Sequence, residues 1–160
     1  MRRLLRTVTL GAAILATLPA IQLWAQAADP LNGTWELNLA KSKYDPGPAP
    51  RNQTRTYEIA GDTMRYTAKG IDAAGKPTLV EHKATYDGKD YPLTGSPEAD
   101  TISLKRIDGS TSEATLKKAG KVVTVNTRAV SKDGKVMTVT GKGTNAKGEK
   151  VNNVLVFDKR

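Results

Sequence analysis

The chain has 160 residues, with 25 Lys or Arg, 16 Asp or Glu and a net charge of +9. This length suits one domain better than two. Cysteine is absent, which excludes disulfides, thiolate metal sites and thiol catalysis. The lysines are dispersed near glycine turns and form no stripe interleaved with aromatic residues, so they favour solubility over binding to nucleic acid.

The first segment has the order of a secretory signal peptide. Three arginines among the first six residues precede an apolar run over 7–21, and a small-x-small cleavage site follows at 25–27. An uncleaved anchor is the alternative, but the run is shorter than the about 20 residues that a membrane span requires. We therefore predict a signal peptide over 1–27 and a mature domain over 28–160, located in the periplasm or outside the cell. Removing the segment takes away three arginines and no acidic residue, which leaves a net charge of +6.

Beyond this segment, short alternating stretches are separated by tight glycine turns. Asp-Gly pairs such as Asp87-Gly88 and Asp133-Gly134 supply the positive φ angles that two-residue hairpin turns require. Their regular spacing is typical of a β-meander. The pattern predicts ten strands, which cover 33–39, 53–60, 62–71, 77–86, 89–94, 100–107, 111–118, 121–131, 135–144 and 149–158.

Most of these stretches have the two-residue period of a half-buried strand. The predicted inward residues are Trp35, Leu37, Leu39, Tyr57, Ile59, Met64, Tyr66, Ala68, Val80, His82, Ala84 and Tyr86. The last three strands carry valine and threonine on both faces, so the pattern does not decide which of their faces points inward. The other predicted inward residues have small side chains, and the interior of a barrel of about ten strands is wide enough to hold a ligand.

A flat meander would expose two unpaired edges, and closure removes them. We therefore predict an all-β fold, an antiparallel up-and-down β-barrel of about 8–10 strands. The face opposite the core is rich in Lys, Arg, Glu and Thr, which disfavours an outer-membrane barrel with an apolar outer band. No membrane span is expected in the mature chain.

The start of the first strand carries a family resemblance. Gly33-Thr34-Trp35 resembles the opening of the calycin superfamily, the lipocalins and fatty-acid-binding proteins, and Leu37 and Tyr44-Asp45 extend the similarity to the second group. The resemblance implies a lipocalin-like barrel that binds a ligand. The Gly-Thr-Trp-x-Leu-Asn start and the Lys-Ser-Lys-aromatic segment also resemble those of exported bacterial proteins.

Two departures from that family stand out. Prolines at 46, 48 and 50 are incompatible with the helix pair that covers fatty-acid-binding barrels, so 40–52 is expected to form an extended flap across one end. The Arg-x-Tyr of the family's closing strand is replaced by 156–160, Val-Phe-Asp-Lys-Arg. In lipocalins an arginine packs on the tryptophan of the motif, and Arg160 is the residue that could match it.

Two polar residues on predicted inward faces are candidates for ligand contacts. Arg55 shares a face with Tyr57, and an inward arginine is costly without a partner. A ligand carboxylate or phosphate would supply one, whereas a position at the barrel rim would let Arg55 reach water. His82 could hydrogen-bond a polar head group or be a core residue with its own partners.

The sequence therefore predicts an exported protein that binds a small hydrophobic or amphipathic ligand. Its expected site residues are Arg55, Tyr57, Tyr66, His82 and Tyr86, with Trp35 closing the far end. A monomer without catalytic residues, metal or cofactor is expected. The alternatives are a barrel that docks on another exported protein, as barrel-shaped protease inhibitors do, and an enzyme with an unrecognised site.

Overall fold

A computed structural model describes residues 28–145 and 147–160. The predicted signal peptide over 1–27 lies outside the described residues. The described residues form ten strands and one short 3-10 helix, Leu39–Lys41. The strands are β1 Gly33–Leu37, β2 Asn52–Ala60, β3 Thr63–Ile71, β4 Pro77–Thr85, β5 Tyr91–Thr94, β6 Thr101–Arg106, β7 Thr111–Lys118, β8 Lys121–Val130, β9 Val136–Thr144 and β10 Lys150–Lys159.

The strands form one closed antiparallel barrel in which each strand pairs with its neighbours in the chain. Closure joins the first strand to the last, with Trp35 opposite Lys159 and Leu37 opposite Phe157. The prediction of an all-β up-and-down barrel is confirmed. The shortest ladders are those that join β5 to β4 and to β6, each with two residue pairs in register. Among the described residues, no helix is long and apolar enough to cross a membrane.

The two ends of the barrel differ in how the chain crosses them. One end, called here the closed end, carries the residues before β1 and the turns at 61–62, 86–90, 107–110 and 131–135. The other end, called the mouth, carries 38–51 and the turns at 72–76, 95–100, 119–120 and 145–149. At the 107–110 turn, the Asp108 carboxylate accepts hydrogen bonds from the backbone N–H groups of Ser110 (2.8 Å) and Thr111 (2.7 Å).

The first strand is shorter than predicted. It ends at Leu37, and the next residues turn into the 3-10 helix, in which the Asn38 side chain accepts a hydrogen bond from the Lys41 N–H (3.1 Å). Leu39 is 42% exposed, so its predicted inward position is wrong. The side-chain cap at Asn38 redirects the chain before the alternation can reach Leu39.

The segment between β1 and β2 crosses the mouth without a helix pair. Lys43 exchanges two backbone hydrogen bonds with Val154 of β10 (2.7 and 2.9 Å). Further on, the Asp45 N–H donates to Oδ1 of Asn153 (2.7 Å). These bonds fasten the segment to one wall of the barrel, and Pro46 and Pro48 then line the cavity beneath it.

Large side chains fill the closed end. The largest fully buried residues are Trp35, Tyr57, Phe157, Met64, Leu104 and Met137. The Trp35 indole N–H donates to the Leu31 carbonyl (2.8 Å), and the Lys159 ammonium lies 4.9 Å from the Trp35 ring. Arg160 instead pairs with Glu36 (2.7 Å), so the expected packing of Arg160 on Trp35 is wrong. The expectation of mostly small inward side chains is also wrong at this end, because these residues pack it solid.

Candidate ligand site at the barrel mouth

A cavity of about 440 Å³ opens at the mouth of the barrel. Its lining is mixed in character, with apolar side chains from several strands and polar groups between them. The apolar contributors are Pro46, Pro48, Leu116, Val139, Val151 and Leu155. The polar contributors are Arg55, Glu98, Thr124, Asn126, Asn145, Lys147, Glu149 and Asn153. Such a volume and such a mixture are typical of small-molecule sites.

Arg55 reaches the cavity from β2. Its Nε donates to Oε1 of Gln53, two residues earlier on the same face (2.9 Å). The guanidinium carbon lies 4.3 Å from the centre of the Phe157 ring, a cation–π contact. The two contacts hold the half-buried guanidinium at the boundary between the cavity and the packed core.

A glycine shapes the opposite wall of the cavity. Gly141 of β9 lies directly between Asn126 of β8 and Asn153 of β10 in the barrel register. A Cβ atom at Gly141 would come within 2.6 Å of Oδ1 of Asn126. The missing side chain therefore leaves room for the two amides at the mouth.

An aromatic row lies on the inner wall of β2, β3 and β4. Tyr57 stands opposite Tyr66, and Tyr66 stands opposite His82, in adjacent ladders. The Tyr57 and Tyr66 ring centres are 5.0 Å apart and tilted by 50°, whereas Tyr66 and His82 stack at 4.9 Å with 23° between the planes. The side chains therefore form a continuous contact across three strands.

Arg128 of β8 faces this row from the other side of the interior. It is only 5% exposed, and its guanidinium carbon lies 5.6 Å from the centre of the Tyr57 ring. Among residues 28–145 and 147–160, no carboxylate forms an ion pair with Arg128. A buried cation without a counter-ion is costly.

Four buried polar atoms in this region have no hydrogen-bond partner among the described residues. They are the Tyr57 hydroxyl, Nδ1 and Nε2 of His82, and Nη1 of Arg128. Arg55 lies near the Tyr57 hydroxyl, but the two do not adopt hydrogen-bonding geometry. Each buried polar group without a partner costs about 1–3 kcal/mol. Water or a bound molecule can supply such partners.

The electrostatics of this cluster keep its titratable rings neutral. Burial, together with the Arg128 charge, lowers the pKa of His82 to about 3. Burial raises the pKa of Tyr66 to about 12, despite the opposite effect of Arg55 and Arg128. At neutral pH the arginines therefore provide the positive charge of the interior.

The structure separates the six residues predicted for the site. Arg55 lines the mouth cavity, and the aromatic row supplies Tyr57, Tyr66 and His82 at greater depth. Tyr86 lies near the closed end, where the Arg106 guanidinium carbon sits 4.3 Å from its ring centre. Trp35 is fully buried in the core of that end.

Sequence reasoning did not identify Arg128, Asn126 or Asn153. On β8 and β10 the polar residues share faces with valines and leucines. The rule that hydrophobic side chains point inward therefore does not decide which face of these strands lines the interior. Arg128 and Asn126 are two residues apart and therefore on one face. Gln53 and Arg55 have the same two-residue spacing on β2. A polar pair at this spacing on a predicted strand is the sequence signal that could have identified Asn126 and Arg128.

The described residues contain no group of three or more His, Asp or Glu side chains placed to hold a metal ion. A second depression of about 460 Å³ lies at the closed end, beside Ala28, Asp29 and Arg106. It lies on the outside of the packed core, and Arg106 is already paired there with Asp29 (2.6 Å). Arg128 borders a small pocket near the closed end, and His82 borders a groove beside Tyr66 and Thr94, so neither residue lines the mouth cavity.

No protein-family model and no curated protein sequence matches the chain. Among solved structures, it is similar to the zebrafish ileal bile acid-binding protein complexed with cholic acid, with a TM-score of 0.55 and 16% identity over 82% of this chain and 99% of that one. A redesigned β-barrel, mFAP1, bound to DFHBI, matches with a TM-score of 0.44 and 19% identity over 84% and 98% of the two chains. The likeness to the zebrafish protein confirms, at the level of fold, the resemblance to calycin barrels.

Proposed function

We propose that this protein is an exported carrier of a small hydrophobic or amphipathic molecule, held non-covalently in the mouth of the barrel. The observation that carries the proposal is the cavity of about 440 Å³, in which Leu116, Val139 and Leu155 alternate with Arg55 and Asn126. Apolar walls with a few fixed polar groups bind amphipathic molecules, because the walls remove hydrocarbon from water and the polar groups fix its orientation.

The fold and the chemistry of the site support a binding role over a catalytic one. The zebrafish protein with the same fold is a binding protein by its name and holds cholic acid. In this chain, the cavity lining contains no serine, cysteine or histidine to pair as nucleophile and base. We infer a non-enzymatic monomer that acts in the periplasm or outside the cell, does not bind nucleic acid, and receives its ligand through the mouth.

Filling the cavity tests this function. Asn126 is half-buried at the mouth, and Asn126→Trp would place an indole in the ligand space. Thr127→Trp is the matched control, because the next residue on β8 points to the outer face. Calorimetric titration with octanol and with octanesulfonate should show binding to wild type and the control, and at least about tenfold weaker binding to Asn126→Trp.

Native mass spectrometry of the protein from the cells that produce it gives the corresponding biological readout. We expect a retained small-molecule adduct that Asn126→Trp removes and Thr127→Trp keeps. Failure of the wild type to bind either probe, together with the absence of an adduct, would contradict the proposed function. Such a result would favour the alternative of a barrel that docks on another protein.

A further inference from the structure

Lysines that are far apart in the sequence come together at one side of the mouth. They flank or occupy two hairpin turns, at 119–120 between β7 and β8 and at 145–149 between β9 and β10. The register of β8 with β9, in which Thr124 lies opposite Gly143, places these two turns side by side. The residues of this group, called here the lysine patch, are Lys118, Lys121, Lys142, Lys147 and Lys150.

The lysine patch carries positive charge that the fold itself does not use. All five residues are exposed, and within the part of the chain that the structure describes none of them forms an ion pair. Two carboxylates border the patch, and both accept hydrogen bonds from its turns. Asp100 accepts from the Ala119 N–H (2.9 Å), and Glu149 accepts from the Asn145 side-chain amide (2.8 Å). Five lysines beside two carboxylates leave an excess of positive charge.

This clustering has a cost that a mixed surface avoids. Lys118 and Lys121 lie directly opposite each other in the β7–β8 ladder, and like charges in such positions destabilise a sheet. Lysines that serve only solubility can be interspersed with acidic residues, which avoids the repulsion. The clustering therefore points to a partner of opposite charge, whose binding offsets the repulsion.

The shape of the lysine patch fits a linear partner. The patch extends across the ends of four adjacent strands, β7 to β10, and neighbouring strands are about 4.8 Å apart, so the positive charges form a row roughly 14 Å long. Beside the lysines of the β9–β10 hairpin, the exposed Thr144 and Asn152 add a hydroxyl and an amide. A row of cations with hydrogen-bonding groups beside it suits a polymer that carries both repeated anions and hydroxyls.

The surroundings of the patch favour a polysaccharide over other polyanions. The sequence over 118–152 contains no Trp, Tyr or Phe, so the patch offers no ring on which a nucleic-acid base could stack. Of the described residues in these two hairpins, Val122 and Val154 are the large apolar ones that are exposed. Two isolated valines do not form the broad apolar face with which a surface enters a bilayer.

We propose that the lysine patch binds an acidic polysaccharide, a chain of sugars with repeated carboxylate groups, and thereby tethers the barrel to a cell surface or an extracellular glycan. The lysines pair with the carboxylates, and Thr144 and Asn152 hydrogen-bond the sugar hydroxyls. The polymer lies outside the barrel, because Lys142 follows the cavity-lining Gly141 on β9 and points to the opposite face. This activity is separate from the proposed binding of a small molecule in the mouth cavity.

Decagalacturonate and maltodecaose form a matched pair of probes for this proposal. They have the same number of sugars, but only decagalacturonate carries a carboxylate on each sugar. In titration calorimetry at neutral pH, we expect wild type to bind decagalacturonate and not maltodecaose. The affinity should fall at least about tenfold between 50 and 200 mM NaCl, because lysines that bind a polyanion displace its counter-ions.

Two double variants with the same net charge locate the binding surface. Lys142→Glu with Lys150→Glu reverses two charges of the patch and should weaken decagalacturonate binding at least about tenfold. Lys83→Glu with Lys105→Glu makes the same change on β4 and β6, away from the patch, and should weaken binding less than about threefold because salt screens distant charges. All four lysines are exposed, so urea unfolding should show that both proteins remain folded.

The outcomes separate this proposal from its alternatives. Equal weakening by the two double variants would reveal a general effect of net charge and would overturn the proposal, as would the absence of decagalacturonate binding to wild type. Tighter binding of single-stranded DNA of the same charge, or of phosphatidylglycerol vesicles, would overturn the assignment to a polysaccharide. Octanol affinity should stay within about twofold in the Lys142→Glu, Lys150→Glu protein, so the proposed function is tested independently.

Discussion

The two ends of this barrel are built from the same ten strands, but the interior of one end is packed with side chains and the interior of the other contains a cavity. At the closed end, Trp35, Met64 and Phe157 are completely buried and belong to one hydrophobic cluster. At the mouth, Gly141 and Asn126 border an open cavity. One end therefore supplies apolar packing, whereas the other leaves a cavity open.

Polar side chains also lie inside the barrel. Arg55 rests on the Phe157 ring at the mouth side of the core, whereas Arg128, nearer the closed end, lies over Tyr57, which is 1% exposed. Buried polar groups without partners destabilise a folded chain. Natural proteins commonly retain destabilising groups of this kind where function requires them.

Removing the centre of the closed end should have the largest effect. Trp35→Ala deletes a fully buried indole and its hydrogen bond to Leu31, and should lower the free energy of unfolding by about 3–5 kcal/mol. Leu39→Ala, in the adjacent 3-10 helix and 42% exposed, is the control and should change stability by less than about 1 kcal/mol. Urea unfolding measures both, and equal losses would contradict the assignment of the core to this end.

Stability should depend on pH through the buried His82. Its pKa is about 3 in the folded protein, below the about 6.5 of an unfolded chain, so the unfolded chain binds the extra proton in the window between them. Stability is therefore retained above pH 6.5 and lost as the pH falls below it. From pH 7 to 5 the loss should be about 2 kcal/mol.

His82→Gln isolates this contribution, because it removes the only histidine and leaves the carboxylates in place. The difference in unfolding free energy between wild type and the variant should change by the same amount over pH 7 to 5. Parallel curves for the two proteins would show that His82 is already protonated, or exposed, in the folded state.

The smallest effect is expected from the mouth itself. Gly141→Ala adds a methyl group within 2.6 Å of Oδ1 of Asn126, the end of a side chain that can rotate. Stability should change by less than about 1 kcal/mol, while octanol affinity should fall a few-fold because the displaced amide narrows the cavity. Calorimetry and urea unfolding should show this split. A large loss of stability would indicate that the mouth is part of the core.

Much of the fold followed from local pattern. Asp-Gly turns and two-residue alternation were sufficient for ten strands, because hairpins between chain neighbours need no long-range information. The prolines after Tyr44 likewise excluded a helix pair. The end of β1 was missed, since the Asn38 cap acts through its own side-chain geometry, which alternation does not report.

The site was harder to predict from the sequence. Arg55 was found because it shares a face with Tyr57 and Ile59, whose inward direction was clear. Arg128 lies seventy-three positions further along and meets the Tyr57 ring only because the barrel closes. Its strand carries valine and threonine on both faces, so which side is inward depends on the barrel register.

Amide chemical-shift mapping of octanol binding is the sharpest test of a ligand site at the mouth, because it reports on both ends of the barrel in one titration. We expect saturable shifts at Leu116, Asn126, Gly141 and Asn153, and unchanged signals at Met64, Leu104 and Met137. Shifts confined to the outer wall or the closed end, or no saturable shifts at all, would contradict a ligand site at the mouth.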